Sequence, residues 1–486
     1  MSVRQEDSSE ADQRTGLGPT VRRAATVVIL GSTMSFLDAT IVNVALRTLA
    51  ADLRTSLDAI QWVVTAYLLA VAAVIPISGW AARRFGARRT FVAAVVLFTV
   101  ASALCALAQS SGQLIAFRAL QGIGGGLIMP VGQIILARAA GPARLPRVMA
   151  VVGVPVVLAP VFGPFAGGVL LDWAQWQWIF LINLPVGAAA ALASLRLLSR
   201  DEPQASAPLD LPGLVSVCVS MVALTYGLGE MGRDPSATAV LALVAGVSLL
   251  GVFVAHSLRA AHPLFDIRLY RDQVFRAASL SSFLLSMGMY AGMVLMPLFF
   301  QSVHDTDDLT TAALLVPSSA GAAIATQLSG RATERFGGGR TVFYGALLGV
   351  AGGVPFVLIG ANTPYPVIAT AMLISGAGAG LSVMPAMTTA FRALSPDQIG
   401  HAAPQLNMVQ RLGGSIATAV LVAVLQNGMD SHEPTQAGTM SAFTVTFGWV
   451  LGAAVLAAWT ALVLARAQRR EPPRVDAPAP APQSRA

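Results

Sequence analysis

Lysine is missing from this chain: all 31 basic residues among its 486 are arginine. Without lysine there is no phosphate-cradling G-x-x-x-x-G-K-[ST] loop and no Schiff-base nucleophile. Nucleotide-driven pumping and lysine chemistry are therefore excluded unless a partner chain supplies the part. Charge of either sign is scarce, at 11% of residues against roughly 25% in an ordinary soluble domain. That excludes a soluble enzyme with one apolar tail. Cysteine and histidine are few, two and five, and fall into no C-x-x-C or H-E-x-x-H spacing, so no metal is expected. Cys105 and Cys218 lie inside apolar runs and read as spare core thiols, not a disulfide framework. The first 20 residues carry no apolar signal-peptide core and read as a cytoplasmic tail.

What the chain has instead is apolar length. Hydrophobic residues make up 55%, spread along almost the whole sequence. At about 20 residues per crossing, apolar helices are predicted over residues 25–46, 59–80, 89–109, 112–136, 146–170, 177–198, 211–231, 236–257, 274–300, 309–329, 341–361, 365–391, 403–427 and 440–465. These fourteen spans define an all-α integral membrane protein. The 45 glycines point to closely packed membrane helices.

Arginine sets the orientation. With both termini in the cytoplasm, 26 arginines fall in inside segments and three (Arg47, Arg54 and Arg233) in outside loops. This is the positive-inside pattern. It accounts for the net charge of +7 without a nucleic-acid partner, and implies a multi-pass protein of the cytoplasmic (inner) membrane, with the lipid bilayer as its surroundings. Arg118 and Arg411 remain inside spans.

An internal repeat gives the architecture. Gly79, Ala81, Arg84, Phe85, Gly86 and Arg89 recur 251 residues on as Gly330, Ala332, Arg335, Phe336, Gly337 and Arg340. A second echo joins Gly122–Pro130 to Gly376–Pro385 with a one-residue slip. Both echoes lie eight spans apart. The simplest account is two six-helix halves (25–198 and 274–465) with two inserted helices (211–257) and a connector (258–273) bearing a short surface helix. Cytoplasmic tails, 1–24 and a disordered Pro- and Ala-rich 466–486, complete the chain. Parallel halves with a substrate near the midplane are a transporter architecture.

Asp38 is the one carboxylate deep within a span. An intramembrane Asp is costly and marks a functional site by default; burial favours its taking up a proton. The alternative is a permanently paired structural Asp. Arg118 lies about six residues from the outer end of span 4 and Asp38 about eight from that of span 1. At 1.5 Å per residue these depths are roughly 9 and 12 Å, so the two are expected to interact, with Arg118 setting the proton affinity of Asp38. The rival is an Arg bonded to backbone carbonyls. In span 5, Gly163, Pro164, Gly167 and Gly168 combine a helix bend with close packing; plain packing explains them on physical grounds. Asn43, Gln121, Gln301, Asn407, Gln410 and Arg411 are candidate cavity liners, as is Gln133; helix–helix bonding is the competing role. On the cytoplasmic side, Gly79, Arg83, Arg84, Gly86, Glu334 and Arg335 are a candidate gate, against a merely solvated basic loop. Trp176 and Trp178 read as interfacial anchors.

These stretches also carry a resemblance. Leu37-Asp38-Ala39-Thr40-Ile41-Val42-Asn43-Val44-Ala45-Leu46, the Arg118-Ala-Leu-Gln121-Gly122 run, Gly163-Pro164-Phe-Ala-Gly167-Gly168 and Trp176-Gln-Trp178-Ile-Phe180-Leu-Ile-Asn183-Leu-Pro185 occur in order. The chain thereby closely resembles the 14-helix drug:proton antiporter branch of the major facilitator superfamily. The departures are Arg47 for Pro, Gln177 for Arg, Arg83 for Asp, and Ala150 and Ala159 for glycines. The resemblance implies the major facilitator fold and proton-coupled efflux of lipophilic drugs or antibiotics by alternating access. It implies Asp38 and Arg118 as the proton-coupling pair, and Gly163 to Gly168 as an antiporter motif that limits proton leak. The proton gradient replaces any cofactor, protons and a small lipophilic substrate are the partners, and a monomer is expected to suffice. The alternatives are a dedicated exporter of one endogenous natural product or lipid and, remotely, a multispan membrane enzyme, which would need a carboxylate or His cluster in a sizeable loop. None is present.

Overall fold

A computed structural model describes residues 18–199, 208–231, 236–360, 363–431 and 435–470. The chain order is α1 (Pro19–Asp52), α2 (Leu57–Val74), α3 (Ser78–Phe85), α4 (Ala87–Ala106), α5 (Ser111–Trp173), α6 (Trp178–Leu181) and α7 (Asn183–Leu197). Then come α8 (Leu211–Met231), α9 (Ala237–Arg259), α10 (Gln273–His304), α11 (Asp308–Phe336), α12 (Gly338–Leu358), α13 (Tyr365–Arg392), α14 (Pro396–Asp430) and α15 (Gln436–Arg470). In lipid, a helix satisfies its own backbone polar groups, which is why long apolar runs take this form. The starts are capped: Ser56, Ser110, Ser236, Asp272 and Asp307 accept backbone N–H groups, and Ser395 with Gln398 forms a capping box.

The fourteen crossings are present, merged in places. Thirteen helical segments are long and apolar enough to span a bilayer. One of them, within α5, contains two crossings joined at Gly141, whose φ of 64° and ψ of 172° break the helix for one residue. This positive φ suits glycine. Span 2 is α2 and α3 joined through a turn at Ile75–Ile77. The connector's short helix is a 3₁₀ turn at Ile267–Arg271.

The ends differ from expectation. Helix α1 begins at Pro19, not 25, and α15 runs to Arg470, beyond 465. Proline is at home in a helix's first turn. Arginine is a good helix former whose long stem carries its charge to the interface. Residues 1–17 and 471–486 of the expected tails, and Arg233, lie outside the described residues.

Helices α1–α7 pack largely on one another, as do α10–α15, while α8 and α9 pack together and α8 lies against α2 and α14. Loop 6–7 is pinned to the connector through Asp210, which accepts from the backbone N–H of Gly213 (2.9 Å) and Leu264 (3.1 Å) and pairs with His256 (2.7 Å). Burial pushes this carboxyl up, but these three partners outweigh it and hold Asp210 below the usual carboxylate range. The repeat extends to the backbone: Gly86 has φ 89°, ψ 142°, and Gly337 has φ 87°, ψ 150°.

Contacts that join the halves gather on the arginine-rich side. A Cβ on Gly79 would strike the carbonyl of Gly400, and one on Gly330 would lie 2.8 Å from the Cα of Arg147. Arg147 pairs with Glu334 at 2.5 Å, and Asn407 donates to Gln133 at 2.7 Å. Gly153 meets Met384 and Thr326. Toward the opposite side, Val44, Phe162, Phe165 and Met293 are exposed.

Candidate functional site

Asp38 and Arg118 meet as a direct ion pair. Arg118 Nη1 donates to Asp38 Oδ2 at 2.6 Å, and both side chains are 0% exposed. The depth reading brought together two helices that are 80 residues apart in sequence. Around the pair is a fully enclosed network. Gln121, one turn beyond Arg118 on α5, accepts from Arg118 Nη1 (2.8 Å) and donates to Asp38 Oδ1 (2.9 Å). Asn183, at the start of α7, donates to the same Oδ1 at 2.8 Å. Ser102 on α4 lies 3.2 Å from Gln121 Nε2 and 3.1 Å from Asn183 Nδ2, and donates to the carbonyl of Phe180 at 2.9 Å.

Arg118 has five N–H donors to satisfy. Besides its two Nη1 bonds, Nε donates to the carbonyl of Val63 at 3.2 Å, and the guanidinium lies 4.1 Å from the centre of the Tyr67 ring and 5.8 Å from that of Phe180. Nη2 has no hydrogen-bond partner. Tyr67 is itself buried, with its hydroxyl 3.4 Å from Ser35 Oγ. The arrangement holds a carboxylate with three N–H donors and holds the arginine by a carbonyl and an aromatic face as well. Arg118 therefore has partners besides Asp38.

Other expected residues divide. Gln121, expected at the cavity, is instead walled inside this network with 0% exposure, because its amide completes the hydrogen bonding of both charges. Asn43 and Gln301 are exposed. Asn407 bridges the halves through Gln133, as above. Gln410 and Arg411 are half-buried on α14, and Gln410 Nε2 is enclosed without a partner. Gly163 and Gly167 pack against α1, at Thr40 and Ile41, where Thr40 Oγ1 donates to the carbonyl of Ala159 at 3.2 Å; Gly168 meets nothing within 4 Å. The side chain of Pro164 lies outside the described residues.

The gate is partly re-paired. Glu334 takes Arg147, from the segment after Gly141, and not Arg83, Arg84 or Arg335. Arg84 and Arg335 are exposed, the latter against the ring of its neighbour Phe336. Arg83 reaches Gly400 on α14, with a buried Nη1 that has no partner. The loop's basic residues leave its second copy on different neighbours, so sequence equivalence does not make them partners.

Asn183, Ser102, Tyr67 and Arg147 were missed as site residues. Asn183 had a signal, a lone amide inside the apolar run after Trp178. Ser102 had none, since serine hydroxyls in membrane helices usually bond their own helix, and nothing in the sequence singles out Tyr67.

Comparison with known proteins places this geometry. Residues 28–418 match the family model described as Major Facilitator Superfamily. The chain is 38% identical over 439 residues to a multidrug resistance protein B homolog of Mycobacterium tuberculosis, covering 89% of this chain and 81% of that protein. It is 32% identical over 404 residues to a methylenomycin A resistance protein of Bacillus subtilis, covering 82% and 86%. Among solved structures, the human organic anion transporter MFSD10 superimposes with a TM-score of 0.63 at 18% identity, covering 90% of this chain and 99% of that one.

Proposed function

Since this chain belongs to the major facilitator superfamily, as a multi-pass membrane transporter, we propose that it exports lipophilic drugs or antibiotics in exchange for protons. The names of its relatives support drug efflux. Proton coupling rests on one observation above the others, the sealed Asp38–Arg118 pair. A group that carries protons across a barrier must be closed to water in at least one state and must tolerate both charge states there. Asp38 is closed off, and its cation has a second set of partners in Val63 and Tyr67. Protonation removes the attraction across α1 and α5, loosening a five-helix network, and deprotonation restores it. Alternating access then follows from rocking of the halves.

The arginine-rich side is assigned to the cytoplasm by the positive-inside rule, with both termini there and the protein in the inner membrane. The contacts gathered on that side support reading this as an outward-facing arrangement. Gly163 and Gly167 hold α5 to α1, the helix of Asp38, which supports a seal against proton leak.

The test is proton movement in everted vesicles, wild type against Asp38→Asn, with a panel of lipophilic compounds. A compound that collapses the pH gradient only when Asp38 is present supports antiport. Transport by the wild type without a proton signal overturns the coupling and leaves sodium or uncoupled export.

A further inference from the structure

The half without the ion pair has a cavity in its place. Shifting Asp38 and Ser102 by the 251 residues of the first echo gives Met289 and Gly353. The second echo, which carries Gly122 onto Gly376, takes Arg118 to Met372 and Gln121 to Ser375. All four counterparts line one cavity of about 260 Å³ inside the C-terminal half. Its walls come from α10, α11, α12, α13 and α15, and no ionisable side chain is among them. Val156 and Val157, from the second arm of α5, close it from the other half. The wall of the cavity thus includes two residues of the other half.

We propose that this cavity binds the uncharged apolar body of the exported compound, and that the compounds it takes are neutral lipophiles and not permanent cations. This rests on the export reading above. Three observations carry the charge preference. Burying a cation without a partner is costly, and the walls offer none. Asp38 does not substitute, because both its oxygens are already occupied and it is 0% exposed. The half-buried in-span charge on α14, Arg411, lines neither this cavity nor its neighbour and has the same sign as a cation, so it offers one no partner.

Size and surface fit the same class. An apolar cavity of roughly 150 Å³ takes benzene, so this one accommodates a fused bicyclic ring. Met289, Met293, Met372 and Met384 give it walls that adapt to differing shapes. It adjoins a second apolar cavity of about 920 Å³ between α10, α14 and α15, which shares Leu284, Gly288, Val450 and Leu451. At the margin of that second cavity, Trp449, Val455 and Leu456 are exposed, as side chains facing lipid are. A compound dissolved in the bilayer reaches the inner site without passing a charged group.

Two glycines allow the cavity to be filled from within. A Cβ on Gly349 or on Gly292 meets no atom within 4 Å, so leucine at either position projects into the cavity without striking backbone. Gly251→Leu, on an inserted helix and equally unobstructed, is the control. Purified protein in nanodiscs is titrated with neutral N-phenyl-1-naphthylamine and with ethidium, a permanent cation, after size-exclusion confirms folding. Saturable binding of the neutral probe is expected in wild type and Gly251→Leu, at least tenfold weaker in Gly349→Leu and Gly292→Leu, with ethidium bound at least tenfold more weakly than the neutral probe throughout. No saturable neutral binding, binding unaltered in both filled variants, or ethidium bound as tightly, each overturns the proposal. The vesicle experiment above fails separately: a missing proton signal with intact cavity binding sinks coupling and leaves the site standing.

Discussion

The two halves share a scaffold and differ in what fills it. In the N-terminal half the bundle interior holds Asp38, Arg118, Gln121, Asn183 and Ser102, each with a named partner. At the positions matching Asp38, Arg118, Gln121 and Ser102 the C-terminal half has Met289, Met372, Ser375 and Gly353 around an apolar cavity. The backbone has kept its symmetry down to the paired glycines Gly86 and Gly337, while the side chains have parted. One half became a place for charge and the other a place for shape. The difference teaches that a duplicated fold fixes where an interior site lies without fixing its chemistry.

The sharpest break of this comparison is at Asp38. Asp38→Asn is expected to abolish proton movement in the vesicle assay, whereas Met289→Leu, at the matching position, keeps an apolar cavity wall and retains proton coupling, its effect confined to the compound concentration needed. Next in size is the pair itself. Arg118→Met strands a buried carboxylate, and removing one partner of such a pair costs about 3–5 kcal/mol. Asp38→Met with Arg118→Met imports the other half's residues and is expected to melt above the single variant in a thermal unfolding assay, with coupling lost. Ser102→Ala leaves two amide donors short of an acceptor, for about 1–3 kcal/mol by the same assay. Glu334→Gln breaks the half-exposed bond to Arg147 and is worth less than about 1 kcal/mol. Its expected effect is a small rise in alkylation of a cysteine placed at Ala150, beside Gly330.

Smallest is a pH effect at loop 6–7, which belongs to neither half. Asp210 has a lowered pKa in the fold. Its contribution is therefore present above the ordinary carboxylate range, near pH 4, and is lost as pH falls through the folded value. Asp210→Asn is expected to flatten that acid limb of a melting-temperature profile.

Much of this was legible in the residues. Apolar length gave the crossings, and the 251-residue echo extends to the matching backbone angles of Gly86 and Gly337. Depth counting alone brought Asp38 and Arg118 together. The hydrogen-bond network was not legible, because Gln121 reads equally as a cavity liner until Asn183 and Ser102 are seen beside it. The partner of Glu334 was hidden for a different reason. Arg147 lies beyond the break at Gly141, and the turn of the chain there is set by one backbone angle that composition does not reveal. The cavity was legible only as an absence, methionine where the first copy has charge.

That break has a mechanical meaning. Arg118 sits on one arm of α5, 23 residues before Gly141, and Val156 on the other, 15 residues after it. At 1.5 Å per residue the arms reach roughly 35 and 22 Å from the joint. A hinge of one residue swivels but does not stretch, so neither arm shifts lengthwise without pulling the other. A tug on the arm that grips the carboxylate is delivered along a stiff rod to the wall of the cavity in the other half, as in a bell crank.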